Sequence, residues 1–187
     1  MMVPRIRLVC NDDHTAIRAL TQAAFTASEL GYHGEAELVD QIRGHSPSPL
    51  ELVAYDTERI IGHILFSPVE IRIPGSQFLG MGLAPMAVLP ETQNCGVGTA
   101  LIREGSRRIF SAGTSFIVVL GHPEYYPRFG FQVAANLGIH HGFTGIPQDV
   151  FFIRCKPFFD GSQLSGGRAF YGLPFGPQFN DDEKAET

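Results

Sequence analysis

"GLAPMAVLPETQNCGVGTALI", Gly82 to Ile102, decides how this chain is read. A β-rich apolar run ends at Leu89, glycines follow at Gly96 and Gly98, and an amphipathic pattern begins at Thr99. A strand thus hands over to a helix through a glycine loop. Backbone N–H groups in the first turn of a helix have no intrahelical acceptor, and the helix dipole adds partial positive charge there. Phosphate oxygens suit such a terminus, and glycine lets a bulky pyrophosphate approach the backbone. A Walker A loop would need GxxxxGK[ST], and neither that spacing nor the lysine is present. A dinucleotide fold would need GxGxxG, whereas Gly98 is followed by Ala100 and Leu101, and Gly105 comes too late.

Working outward, 187 residues with 44% hydrophobic and 18% charged content suit one soluble domain with a core of its own. A formal net charge of −5 gives no basic footprint for nucleic acid. Cys10, Cys95 and Cys155 are few, odd in number and widely spaced, which fits a reducing compartment, and the absence of CxxC argues against a zinc knuckle. "MMVPRIRLVCNDDHT" meets charge too early for a signal peptide or membrane span, so a cytoplasmic protein is expected.

"RIRLVC" alternates as a half-buried strand, and Asn11, Asp12 and Asp13 are candidate caps for the next helix. Ile17, Leu20, Ala24 and Phe25 recur at helical spacing, as do Ala36, Val39 and Ile42 before Gly44. After "SPSP", the runs "LELVAYD" and "IIGHILFSPVEIRI" read as a hairpin turning at Asp56 to Arg59. The run Phe78 to Leu89 contains Pro85, which cannot donate a ladder hydrogen bond and is read as a bulge. Leu101, Ile102, Gly105 and Ile109 form the apolar stripe of the clearest helix, opposite Arg103, Glu104, Arg107 and Arg108. "SFIVVLG" reads as a strand buried on both faces with a parallel neighbour. "HPEYYPRFGF" allows a short helix at most, and "VFFIRCK" and "GRAFYG" read as late strands.

The string Gln93 to Gly98, Q-x-x-G-x-G after "AVLP" and before an amphipathic helix, resembles the acetyl-CoA loop of the GNAT superfamily of N-acetyltransferases. The order of elements resembles that superfamily, and "VVLGHPEYYPRFGF" resembles the end of the domain in its YhbS-like branch. The resemblance implies an α/β (α+β) GNAT fold: a mixed, mostly antiparallel central sheet flanked by helices and splayed at the CoA-binding strand. It implies a domain over residues 5–155, with residues 156–187 as a C-terminal extension of the same domain, carrying one further strand and a frayed tail, Asn180 to Thr187.

By position, the resemblance implies that Gln93, Asn94, Cys95, Gly96, Val97, Gly98 and Thr99 present backbone amides to the CoA pyrophosphate, with the Thr99 hydroxyl in reach. It places the pantetheine arm along Met86, Ala87 and Val88, where a main-chain donor meets the thioester carbonyl, and Pro85 opens the sheet. Tyr126, counted back from Gly130-Phe131, matches the family's general acid. Its hydroxyl, near 10, can donate to or share a proton with a thiolate of about 8.5. The implied reaction is acetyl transfer from acetyl-CoA to a primary amine by direct attack in a ternary complex. The acceptor is a small-molecule or protein amine, with no nucleic acid, membrane or metal and with a homodimer left open.

"FLGMGLAPMAVL" carries no acid where several relatives have a glutamate, so the general base is unassigned. Glu70, Glu35, Glu37 and His33 are candidates that each read first as solvated surface residues, and His122 reads as structural. Cys95 at a helix start suggests a thiol nucleophile, but no His-Asp partner accompanies it. His140 and His141 lack a spaced third ligand and read as surface polar residues. "GYHGEAELVDQIRG" and "DVFFIRCKPFFDGSQLSGGRAFYG" are aromatic and weakly charged, suggesting a modest apolar acceptor site. Two alternatives stay open: a non-catalytic acyl-CoA sensor of the same fold, and an unrelated nucleotide-binding α/β protein.

Overall fold

The computed structural model describes residues 4–29, 31–57 and 59–178, so the expected tail Asn180 to Thr187 lies outside the described residues. Among the described residues, strands and α-helices come in the order β1 (Arg5–Leu8), α1 (His14–Thr26), α2 (Glu35–His45), β2 (Leu50–Tyr55), β3 (Ile60–Ile73), β4 (Ser76–Val88), α3 (Val97–Ser111), β5 (Phe116–Leu120), β6 (Gln132–Val133), β7 (His140–His141), β8 (Phe151–Cys155) and β9 (Arg168–Tyr171). The hydrogen-bonded strand order is β1-β2-β3-β4-β5-β8-β6, with β9 paired to β3 and β7. The sheet is mixed and mostly antiparallel: β1–β2, β2–β3, β3–β9, β5–β8 and β6–β8 are antiparallel, and β7–β9 is parallel. No helix among the described residues is long and apolar enough to cross a membrane.

The chain divides into two compact units, one of Met1–Ser67 with Leu83–Ile109 and one of Pro68–Gly82 with Phe110–Thr187. In the first unit, α3 packs on β3 at two glycines. A β-carbon at Gly62 would lie 2.7 Å from Val97, and one at Gly105 would lie 2.4 Å from the Phe66 ring. Both are closer than real β-carbons come to their neighbours, so glycine is what lets this helix lie down on the strand. α1 buries Ile17, Leu20, Thr21 and Ala24, and its Leu20 and Ala24 pack against Ala87 of β4. α2 buries Ala36, Val39 and Ile42, and Arg18 of α1 holds it through Asp40 at 2.6 Å and through Glu37.

The expected capping differs in direction. Asn11–Asp13 form a 3₁₀ turn before α1, and the Asp13 carboxylate reaches back to accept the Cys10 N–H at 2.8 Å and the Arg7 guanidinium at 2.5 and 2.8 Å. The short carboxylate thus ties the end of β1 to the helix start instead of capping the turn ahead. β4 runs unbroken from Ser76 to Val88 through Pro85, whose bond to Ala84 is cis.

In the second unit a core forms from Val69, Ile71, Phe116, Val118, Ile139, Phe151, Ile153 and Tyr171. The alternate residues of β5 that enter it explain why "FIVVL" reads as a strand. His141 corrects the surface reading: it is fully buried, its Nδ1 accepts the Phe143 N–H at 3.1 Å, and its Nε2 donates to the Pro147 carbonyl at 3.2 Å. Both ring nitrogens are spent on backbone groups, so the residue is structural.

Candidate active site

The glycine loop belongs to the first unit. Leu89 N–H donates to the Ile61 carbonyl at 3.0 Å, and the Thr92 hydroxyl donates to the Leu89 carbonyl at 3.1 Å, which seats a 3₁₀ turn, Pro90–Thr92, at the end of β4. The Gln93 side-chain amide then donates to the Val88 carbonyl at 3.2 Å, tying the loop's first residue to the strand. Gln93, Asn94, Cys95 and Gly96 are exposed, Val97 is buried, and Gly98 and Thr99 are half-buried.

Asn94 and Gly96 both hold positive φ, at 58° and 88°. Positive φ at alternate residues is the backbone pattern that lets successive amides turn toward one anion. α3 begins at Val97, two residues earlier than the sequence pattern suggests, and the Gly96 carbonyl accepts its first bond from Ala100 N–H at 3.0 Å. Val97, Gly98 and Thr99 are therefore the opening turn of the helix, where amides lack intrahelical acceptors. Beyond its chain neighbours, no described residue lies within 4 Å of a β-carbon built on Gly96, so the loop is open at that position. The loop fits an oxygen-rich anion such as a pyrophosphate.

On β4, Ala87 is buried against α1, while Met86 and Val88 are half-buried. Strand alternation sends their side chains to the opposite face from Ala87.

Tyr126 opens a 3₁₀ turn, Tyr126–Phe129, that ends at Gly130 with φ 81°. Its buried ring meets Phe131 edge-on at 5.7 Å and Phe152 at 6.3 Å. Burial, helped by Tyr125, pushes its hydroxyl well above the ordinary tyrosine value, so it stays protonated at neutral pH. A phenol held this high shares a hydrogen bond with a thiolate more readily than it surrenders its proton. The Tyr125 ring meets the Tyr126 ring edge-on at 5.3 Å and lies under the Arg128 guanidinium at 4.6 Å.

The acids considered from sequence are engaged. Glu37 accepts from Tyr32 and Arg18, Glu35 accepts the His33 N–H at 2.8 Å, and Glu70 pairs with Arg72 at 2.8 Å. His122 and Cys95 are exposed. Sequence reasoning missed a buried cluster in the first unit: His63 Nε2 lies 2.8 Å from Glu51 Oε1, and Arg43 grips the same carboxylate at 2.5 and 3.1 Å. The available signal was a histidine inside "IIGHILF" and a glutamate inside "LELVAY", both within apolar runs. Among the described residues no group of three His, Cys, Asp or Glu is placed to hold a metal.

Residues 5–134 match the family described as Acetyltransferase (GNAT) domain. The uncharacterized N-acetyltransferase YjhQ of Escherichia coli K12 is 38% identical over 126 residues, 66% of this chain and 67% of its own. The uncharacterized N-acetyltransferase YhbS of the same strain is 35% identical over 132 residues, 70% and 75% of the two chains. Among solved structures, E. coli YhbS in complex with CoA superposes with a TM-score of 0.79 at 30% identity, covering 95% of this chain and 94% of that one. A GNAT family acetyltransferase from Brucella melitensis in complex with acetyl-CoA gives 0.73 at 32% identity, covering 94% and 99%. The family match over residues 5–134 and the relatives YjhQ and YhbS show that this chain belongs to the GNAT acetyltransferase family.

Proposed function

We propose that the protein is an N-acetyltransferase that moves the acetyl group of acetyl-CoA to a primary amine by direct attack in a ternary complex. The observation that carries this reading is the loop Gln93–Val97: exposed up to Gly96, with positive φ at Asn94 and Gly96, and continuous with the N-terminus of α3. Two of the similar proteins are described in complex with CoA or acetyl-CoA, which supports the same donor here.

In this reading the amides of Gln93, Asn94, Cys95, Gly96, Val97, Gly98 and Thr99 bind the pyrophosphate, with the α3 dipole adding to the attraction. Met86, Ala87 and Val88 hold the pantetheine arm as an added strand, on a sheet splayed near Pro85. A main-chain N–H there donates to the thioester carbonyl oxygen as negative charge develops on it. Tyr126 donates to the sulfur as the C–S bond breaks, and Cys95, exposed and with no hydrogen-bonded base among the described residues, forms no acetyl-enzyme. The acceptor is a small-molecule or protein amine held in a modest apolar site, and the protein works in the cytoplasm.

The test is thiol release from acetyl-CoA in the presence of phenethylamine, tyramine, spermidine and an alanine-terminated peptide. Release dependent on an amine supports the enzyme. Thermal stabilisation by acetyl-CoA with no release from any of these amines replaces it with a binding module.

A further inference from the structure

The acetyltransferase reading lacks a proton acceptor for the amine, and a group in that role depends on the reading being right. An alkyl amine with a pKa of about 10 is neutral in only about one molecule per thousand at pH 7. A group that takes its proton inside the protein therefore matters to the rate.

His63 is fully buried on β3, and Glu51, diagonal to it across the β2–β3 ladder, accepts from its Nε2 at 2.8 Å. Burial alone pushes the Glu51 carboxyl up, but hydrogen bonds from His63 and Arg43 outweigh it and hold the group at about 2. An ionised carboxylate only accepts, so the imidazole proton sits on Nε2 and Nδ1 keeps its lone pair. Nδ1 has no partner among the described residues. Burial also lowers the imidazole's own pKa, partly offset by Glu51, which leaves the ring neutral near pH 7. Among the described residues Arg43 is charged against this pair, and Asp40 lies 2.9 Å from Arg43 and 2.6 Å from Arg18.

Gly62 and Phe66 face α3. By alternation His63 and Ser67 face the opposite side, from which Arg43 of α2 approaches and where Ala87 of β4 meets α1. Thr21 lies on the same buried face of α1 as Leu20 and Ala24. Thr21 Oγ1, Ser67 Oγ and His63 Nδ1 are all buried without a partner among the described residues. Buried polar groups are as a rule satisfied by protein or by ordered water. His63 and Ser67 on β3 and Thr21 on α1 thus face one layer, which also takes Ala87 of β4, and water there would satisfy all three as a polar seam between sheet and helix.

We propose that His63 accepts the acceptor amine's proton at Nδ1 through water in this seam, with Glu51 and Arg43 fixing the tautomer that keeps Nδ1 available. One ammonium N–H bond breaks and its proton passes to Nδ1. The freed lone pair forms the bond to the thioester carbonyl carbon, the C–S bond breaks, and the second proton leaves nitrogen for the thiolate. The imidazolium then returns its proton to solvent. This is carboxylate–imidazole logic, in which the acid orients the ring and stabilises its charged form.

The test measures kcat/KM for the preferred amine among those four from about pH 6 to about pH 9, in wild type and His63→Gln. Wild type is expected to be flat above an acid limb lying below about 6.5, while the variant climbs about tenfold per pH unit toward the amine pKa. The deficit is then about 100-fold at pH 7 and shrinks near pH 9. Glu51→Gln should move the wild-type acid limb to lower pH, because the carboxylate favours the imidazolium. Melting curves and acetyl-CoA binding check folding, and Glu51→Gln and His63→Asn serve if His63→Gln does not fold. Parallel profiles, including a uniform loss at every pH, assign the cluster to structure and overturn the proposal. Absence of thiol release from wild type with every amine overturns the acetyltransferase reading itself, and the proton acceptor with it.

Discussion

A β-carbon on Gly121 would lie 2.1 Å from the Tyr126 ring. Gly121 follows β5, its N–H donates to the Val150 carbonyl at 3.0 Å, and the tyrosine rests directly on its backbone. Gly121→Ala must therefore displace the ring, at about 1–3 kcal/mol of stability. Turnover should fall with it, read by melting and thiol release. A variant that melts and turns over like wild type would show that the glycine does not position the tyrosine.

Tyr126→Phe keeps the ring contacts to Phe131 and Phe152 and removes only the hydroxyl. Turnover is expected to drop about 100-fold, in the usual range for loss of an acid–base group, with acetyl-CoA affinity within about threefold of wild type. Steady-state kinetics and calorimetry separate the two, and unchanged turnover removes Tyr126 from the mechanism.

The two loop glycines should fail differently. Gly96 has φ 88° and open space around its β-position, so Gly96→Ala costs about 1 kcal/mol through backbone conformation without acetyl-CoA present. Gly98, in the first turn of α3, has an ordinary helical place. Gly98→Val should fold and melt normally yet lose the thermal stabilisation that acetyl-CoA confers. Normal stabilisation of Gly98→Val removes the pyrophosphate assignment.

Much of the proposed site is legible in sequence because the role proposed for it is carried by backbone. Glycines report where amides turn outward, and the stripe Leu101, Ile102, Gly105 and Ile109 reports the helix they open. β6 and β7, two residues each, are too short for any periodicity to register. The Glu51–His63 contact was invisible for another reason. It joins residues 12 apart through a strand register, and that register shifts between Ala54 and Tyr55. His141 looked like surface polarity because its partners, Phe143 N–H and the Pro147 carbonyl, are main-chain groups that leave no mark on side-chain pattern.

His141 supports a separate expectation. His141→Phe leaves the Phe143 N–H and the Pro147 carbonyl unpaired in a buried place, at about 1–3 kcal/mol for each orphaned group. The variant should melt lower while retaining acetyl-CoA binding, and a chelator should leave the wild-type melting temperature unchanged. A chelator-induced loss of stability would make this histidine a metal ligand.

Acid should destabilise the fold in two stages. His63 is held below its ordinary 6.5 by burial, so the unfolded chain binds more protons as pH falls beneath about 6.5, and stability declines there first. Glu51 is lowered from 4.5 to about 2, so its contribution is complete above 4.5 and is lost as pH falls from there toward 2. A difference of about 2.5 units corresponds to something on the order of 3 kcal/mol. Urea unfolding of wild type and Glu51→Gln across this range should show a gap that is widest near neutrality and closes toward pH 2. A gap that stays constant with pH would mean that Glu51 is not held as a carboxylate by Arg43 and His63.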